Sequence, residues 1–106
     1  MPIASIVVPS FNVAATLPAT LNALLSQTFD DFEVVIVDDG SSDSTVAIAE
    51  HYLNDPRVQL VRQPNRGLAG ARNSGIAAAQ GDYIGFCDAD DLWEPEKLAL
   101  HVAHLD

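Results

Sequence analysis

The chain has 106 residues, 48% of them hydrophobic, a formal net charge of −10 and one cysteine, Cys87. That is one domain's worth of chain with enough apolar residues for a core. The acidic balance excludes direct nucleic-acid binding, because phosphates reward Lys and Arg; no apolar run approaches the roughly 20 residues needed to cross a bilayer, and a lone cysteine excludes an internal disulfide.

The opening Met1-Pro2-Ile3-Ala4 has no basic region and no cleavage-like pattern, so no secretory leader is expected. Ala4 to Val8 is rich in β-branched residues without polar alternation, the pattern of a buried parallel strand, and Pro9 is expected to stop it. Ser10-Phe11-Asn12 makes a turn. Leu17, Leu21, Leu24 and Leu25 then recur at helical spacing, with Pro18 suited to a first turn, and predict a helix over about 16–27.

A second strand, Glu33 to Val37, runs into Asp38-Asp39-Gly40-Ser41-Ser42-Asp43. The glycine permits a tight turn, and Ser42 or Asp43 can cap the next helix, expected over 44–53. Val58 to Arg62 reads as a third strand. The loop Gln63-Pro64-Asn65-Arg66-Gly67 leads into a helix of small residues over 68–79, which can lie close to the sheet or to a ligand. A fourth run, Tyr83 to Cys87, reads as a buried strand, with Cys87 a core thiol rather than a nucleophile. Glu94-Pro95-Glu96 begins a last helix with Leu98, Val102 and Leu105 on its apolar face.

Strands alternating with helices imply an α/β fold: a Rossmann-like, doubly wound, mostly parallel sheet of about four strands with helices on both faces. Ligands of such sheets sit at the carboxyl ends of the strands, near the point where strand order reverses. Three polar stretches, Pro9 to Asn12, Asp38 to Asp43 and Asp88 to Asp91, all follow strand ends and so converge on one rim.

Asp88, Asp90 and Asp91 crowd three carboxylates into four positions. Their repulsion asks for a cation, and hard Mg²⁺ or Mn²⁺ takes carboxylate oxygens while sharing the site with a phosphate. A solvated acidic turn capping the next helix is the plainer alternative. Arg62, Arg66 and Arg72 fall near the third strand, and an arginine fork suits phosphate, as do the N–H groups of a helix starting near Gly67. No Ser-His-Asp arrangement, Gly-x-Gly-x-x-Gly or P-loop signature is visible, and His101 with His104 has no third metal ligand at suitable spacing.

Four ordered blocks carry a resemblance: Val7-Val8-Pro9-Ser10-Phe11-Asn12; Val37-Asp38-Asp39-Gly40-Ser41-Ser42-Asp43-Ser44-Thr45; Asn65-Arg66-Gly67-Leu68-Ala69-Gly70-Ala71-Arg72-Asn73-Ser74-Gly75; and Asp88-Ala89-Asp90-Asp91, continued by Leu92-Trp93-Glu94-Pro95-Glu96-Lys97-Leu98. Together, over nearly the whole chain, they resemble the family 2 glycosyltransferases of GT-A fold. The resemblance implies that Pro9 and Phe11 border a nucleotide base, that Asp39 accepts a hydrogen bond from uracil or a comparable base, and that Asp38 supports that loop. It implies that Arg72 contacts the diphosphate, that Asp88 and Asp90 hold the sugar nucleotide through Mg²⁺ or Mn²⁺ with Asp90 the direct ligand, and that Asp91 reaches the donor sugar or orients the site.

On this resemblance, residues 1–106 are expected to be the nucleotide-sugar-binding part of a transferase, ending before the acceptor half. The partners expected are a nucleotide-sugar donor, a UDP-sugar first, and a saccharide or lipid acceptor, as in polysaccharide biosynthesis. The family's catalytic base lies after the segment present, so it is expected beyond Asp106 and the chain alone is expected to lack it. The setting expected is cytoplasmic, at the membrane periphery in the full-length protein. The competing reading is a non-catalytic nucleotide- or metal-binding domain that forms a homodimer through the surface an acceptor half would cover. A phosphotransferase of another Asp-x-Asp class would place its nucleophile after the first strand, where this chain has Pro9-Ser10.

Overall fold

The structure, a computed structural model, describes residues 2–105, with side chains up to Ala103. His104 and Leu105, named above for a helix face, lie outside the described side chains. Asp106, the position beyond which the catalytic base is expected, lies outside the described residues. The element order is β1 (Ala4–Ser10), α1 (Leu17–Leu25), β2 (Phe32–Asp39), α2 (Thr45–His51), β3 (Val58–Gln63), α3 (Gly67–Ala78), β4 (Tyr83–Phe86) and α4 (Lys97–Leu105). Every expected element is present. The largest shift is at α4, which begins at Lys97 rather than at Glu94.

The strands form one parallel sheet in the order β3-β2-β1-β4. The chain winds outward from β1 to β3, then crosses back to place β4 on the other side of β1. Right-handed crossovers that reverse direction put their helices on opposite faces. Accordingly Leu17, Leu21 and Leu24 of α1, Ala49 of α2, and Leu98 and Val102 of α4 cluster with Ile6, Val8, Val34 and Ile36 on one face. Ala71 of α3 packs with Val7, Val35 and Val37 on the other. Each buried leucine contributes about 1.5–3 kcal/mol by leaving water.

Both β1 and β2 are buried along their whole length, their polar residues Ser5, Ser10, Glu33, Asp38 and Asp39 included. Pro9 does not end β1, which continues to Ser10. The Ile3 and Val7 carbonyls accept from the Tyr83 and Cys87 N–H groups, so odd-numbered residues turn their peptides toward β4. Pro9 is the next odd residue, and β4 has stopped at Phe86. Its missing N–H therefore faces a side with no strand to pair, a position where proline costs little.

The fourth strand corrects the expectation of a buried run. β4 is an edge strand, and Ile84 and Phe86 are each 41% exposed. They share the face of Val7, on which α3 packs chiefly against β1 and β2. Cys87, one residue on, is buried as expected.

Candidate functional site

The loops after β1 and β2 are joined by one side chain. Asn12 adopts φ 51°, a left-handed conformation that asparagine tolerates better than most residues. Its Oδ1 accepts the Ser42 and Asp43 N–H groups at 2.8 and 3.3 Å, and its own N–H donates to Ser41 Oγ at 2.9 Å. Alongside, the Val13 and Ala14 N–H groups donate to Thr45 Oγ1 and Asp43 Oδ2. Asp43 Oδ1 also accepts from Thr45 N, the first residue of α2, but the N-cap position falls to Ser44, whose side chain makes no capping bond, rather than to Ser42 or Asp43.

Asp38 and Asp39, the last residues of β2, are both buried. Asp38 Oδ2 accepts the Ser41 N–H at 3.3 Å, while its Oδ1 has no partner among the described residues. Asp39 is engaged on both oxygens. Oδ1 accepts from Arg66 N at 2.7 Å and Gln63 Nε2 at 3.0 Å, and Oδ2 from Gly67 N at 2.9 Å. Burial raises the Asp39 carboxyl pKa, but the Gln63 amide, the two N–H groups and the Arg66 charge outweigh it and hold the pKa below the ordinary carboxylate value. Ser74 Oγ donates to Gln63 Oε1 and closes a chain from α3 through β3 to β2.

The start of α3 thus differs from the expectation. The Gly67 N–H, expected to be among those open to phosphate, is taken by Asp39, as is the Arg66 N–H just before it. Gly40 turns the preceding loop at φ 82°, and a Cβ there would lie 2.8 Å from Asn65 N, so the β2 and β3 loops touch through it.

A cleft of about 250 Å³ opens beside Asp39, lined by Pro9, Ser10, Phe11, Asn65, Gly67, Leu68 and Ala71. It brings together Pro9, Phe11 and Asp39. Asp38 faces a separate groove with Gly40, Ser41, Arg62, Gln63 and Pro64. Phe11 is 49% exposed, leaving much of its side chain free to contact a ligand. A carboxylate offers about four acceptor positions, so the three occupied at Asp39 leave about one.

Arg72, next to Ala71 of the cleft, carries its guanidinium 5.5 Å above the Phe86 ring. Its Nε is buried without a partner among the described residues. Phe86 precedes Asp88 by two positions in the chain.

Asp88, Asp90 and Asp91 follow the β4 end and are exposed, whereas Ala89 between them is buried. The turn is anchored from α1. Thr20 Oγ1 donates to the Ala89 carbonyl at 2.9 Å, Gln27 Nε2 to the Glu94 carbonyl at 2.8 Å, and Gln27 Oε1 accepts from Leu98 N at 3.0 Å. Asp91 Oδ1 accepts from Leu92 N; the Asp88 and Asp90 carboxylates accept no hydrogen bond among the described residues. Among the described residues, no three His, Cys, Asp or Glu side chains form a metal-holding group. Two free, oxygen-only carboxylates still fit a hard ion of the kind that takes one or two carboxylates and completes its shell with phosphates and water.

Sequence reasoning did not find Asn12, Thr20, Gln27, Gln63 or Ser74 as site-building residues. The signal was present for Thr20, a polar residue on the leucine face of α1. Asn12 and Gln63 gave none, because their partners lie about 30 and 24 positions away.

The sequence profile of "Glycosyl transferase family 2" matches residues 5–106. The Escherichia coli chondroitin synthase is 41% identical over 101 residues, covering 94% of this chain and 15% of the synthase. The S. aureus TarS 1–349 structure in complex with UDP-GlcNAc superposes with a TM-score of 0.92 at 34% identity, covering all of this chain and 31% of that one. The Pyrobaculum calidifontis mannosyltransferase PcManGT, in complex with GDP-Man and Mn²⁺, gives a TM-score of 0.89 at 30% identity over 95% of this chain and 31% of that one. The chain spans less than a third of the length of each of these three proteins. Its parallel α/β sheet is the GT-A type of these neighbours.

Proposed function

The chain belongs to glycosyl transferase family 2, and we propose that it is the donor-binding part of a glycosyltransferase that moves a sugar from a UDP-sugar to a saccharide or lipid acceptor. The observation that carries this reading is Asp39 in the cleft, with about one acceptor position left beside Pro9 and Phe11. A uracil edge presents one imide N–H between two carbonyls, a single donor for a single acceptor. A guanine edge presents two adjacent donors and leaves one unmet, which is costly in a closed site.

In this reading Phe11 and Pro9 flank the base, and stacking on an aromatic ring contributes about 1–3 kcal/mol. Asp38 holds the Gly40–Ser41 turn through the Ser41 N–H. Arg72, steadied over Phe86, directs its guanidinium to the diphosphate. Asp88 and Asp90 would hold Mg²⁺ or Mn²⁺ with the donor phosphates, and that ion would offset the charge that develops on the departing nucleoside diphosphate. Asp91 reaches the donor sugar. In transfer, the bond from the anomeric carbon to the diphosphate oxygen breaks and its electron pair leaves with the diphosphate. An acceptor hydroxyl forms the new bond and releases its proton, which by direct displacement inverts the anomeric centre. No described residue is assigned as the base for that proton, whose place in this proposal is beyond Asp106.

The competing reading, a binding domain that self-associates, is favoured by one observation: the uncovered edge of β4. Turnover of a UDP-sugar separates the two. No described helix is long and apolar enough to cross a membrane. A cytoplasmic, membrane-peripheral setting is part of the same proposal.

The test is calorimetric titration of UDP into the chain with and without Mn²⁺, repeated on Asp90→Asn. Metal-dependent binding that the substitution abolishes is expected. Binding of equal strength with and without metal, or in both proteins, would remove the Asp-x-Asp role; GDP bound in preference to UDP would overturn the base assignment.

A further inference from the structure

Among the described residues, Asp39 is the only acidic side chain lining the cleft, and a carboxylate on a short side chain can rotate about its own axis. What fixes its plane is therefore what decides where its free acceptor position points. Two backbone donors, Arg66 N and Gly67 N, come from the loop before α3. The third donor, Gln63 Nε2, comes from the last residue of β3, which lies directly opposite Asp39 in the sheet register.

The Gln63 amide has a defined orientation. An ionised carboxylate can only accept, so the amide nitrogen must face Asp39 and the carbonyl must face away. Ser74 Oγ meets that carbonyl from α3. Ser74 is half-buried on the helix whose Ala71 lines the cleft, and Gln63 is itself outside the cleft lining. Neither residue would touch a ligand there, yet together they hold the group that would.

We infer that Gln63, locked by Ser74, is a positioning residue that aims the Asp39 carboxylate and so sets a preference for a base whose ring nitrogen carries an N–H donor. This inference rests on the donor-site reading above. Without Gln63, each Asp39 oxygen keeps one N–H partner, both from the loop before α3, and the carboxylate loses its only side-chain brace from the sheet, so that it can tilt with that loop. The base donor then meets a less well-placed acceptor, while the diphosphate contacts are untouched.

Competition between UDP and CDP reads this directly, because cytosine carries a ring-nitrogen acceptor where uracil carries its N–H. The wild-type chain is expected to prefer UDP by about tenfold or more, the range for a hydrogen bond to a charged group. Gln63→Leu, similar in volume and without the amide, is expected to bring the preference to about threefold or less with pyrophosphate binding unchanged, and Ser74→Ala to give an intermediate value. Gln63→Glu supplies the readout that a merely structural role would not move. At neutral pH two carboxylates face each other and the preference is lost; on acidification, once the pair shares one proton, the new side chain donates to Asp39 and the preference returns. Should Gln63→Leu fail to fold, Ser74→Ala and Gln63→Glu decide the matter. A wild-type preference that all these variants retain at every pH would overturn the relay. A wild-type chain that binds UDP and CDP alike, or neither, would overturn the donor-site reading itself, and the inference with it.

Discussion

Asp39 does two things at the residue scale: it ties the end of β2 to the start of α3, and it lines the cleft. Its depressed pKa has a stability consequence. Asp39, Asp43 and Asp55 all sit below the ordinary carboxylate value: Asp39 against the effect of its own burial, Asp43 chiefly through the Thr45 hydroxyl and Asp55 chiefly through Arg57. Between the folded and unfolded values the unfolded chain binds more protons, so stability rises with pH there. It is fully present above the unfolded value and is lost as pH falls through the lower folded ones. Urea midpoints measured from about pH 5 down to about pH 2 should fall steadily, and Asp39→Asn should flatten part of the slope. A midpoint independent of pH would show that these carboxylates are not held as described. Cys87 gives the opposite case. Burial first, then the charges of Asp91, Asp88 and Asp90, push its thiol up to about 12, with Lys97 opposing. The folded chain should therefore react with a thiol reagent at about pH 8 only as fast as it unfolds, whereas the denatured chain reacts at once.

At the scale of elements, α3 shows why small residues were needed. A Cβ on Gly75 would overlap Val7 Cγ1, and Val7 is fully buried and cannot yield. Gly75→Ala gains about 1 kcal/mol of helix propensity but forces overpacking that costs about 1–3 kcal/mol. A net loss of stability is expected in urea unfolding, and a gain would mean that α3 lies farther from the sheet. The small-residue pattern of α3 was legible in the sequence because it repeats every helical turn. The exposure of β4 was not. Tyr83 to Phe86 has the same apolar density as β1, and only its place at the end of the strand order leaves Ile84 and Phe86 uncovered. The β4 peptide groups of those two residues face the open side, which invites pairing with another strand. The chain is expected to self-associate in light scattering as concentration rises, and Ile84→Lys to reduce this; a monomer at all concentrations would show that the edge is protected in another way.

Over the whole molecule the charge of −10 is carried by a chain with a radius of gyration of 12.7 Å. Self-repulsion at that size should make the melting temperature rise with NaCl, as the Debye length shrinks from about 30 Å at 0.01 M to about 8 Å at 0.15 M. Mn²⁺ should raise it beyond the effect of NaCl at equal ionic strength, and Asp90→Asn should remove that excess; equal effects would leave only screening. The sequence by itself determined the eight elements, the parallel α/β class and the three acidic or polar stretches at the strand ends, because hydrophobic periodicity and turn chemistry act over a few neighbouring residues. The tertiary structure alone decided that Pro9 could remain inside β1, that β4 is an edge, that Asp39 rather than solvent or phosphate takes the first N–H groups of α3, and that Gln63 and Ser74 stand behind it. Each of these depends on which strand lies beside which, and strand order is set by the packing of helices on the two faces rather than by any local stretch of the chain.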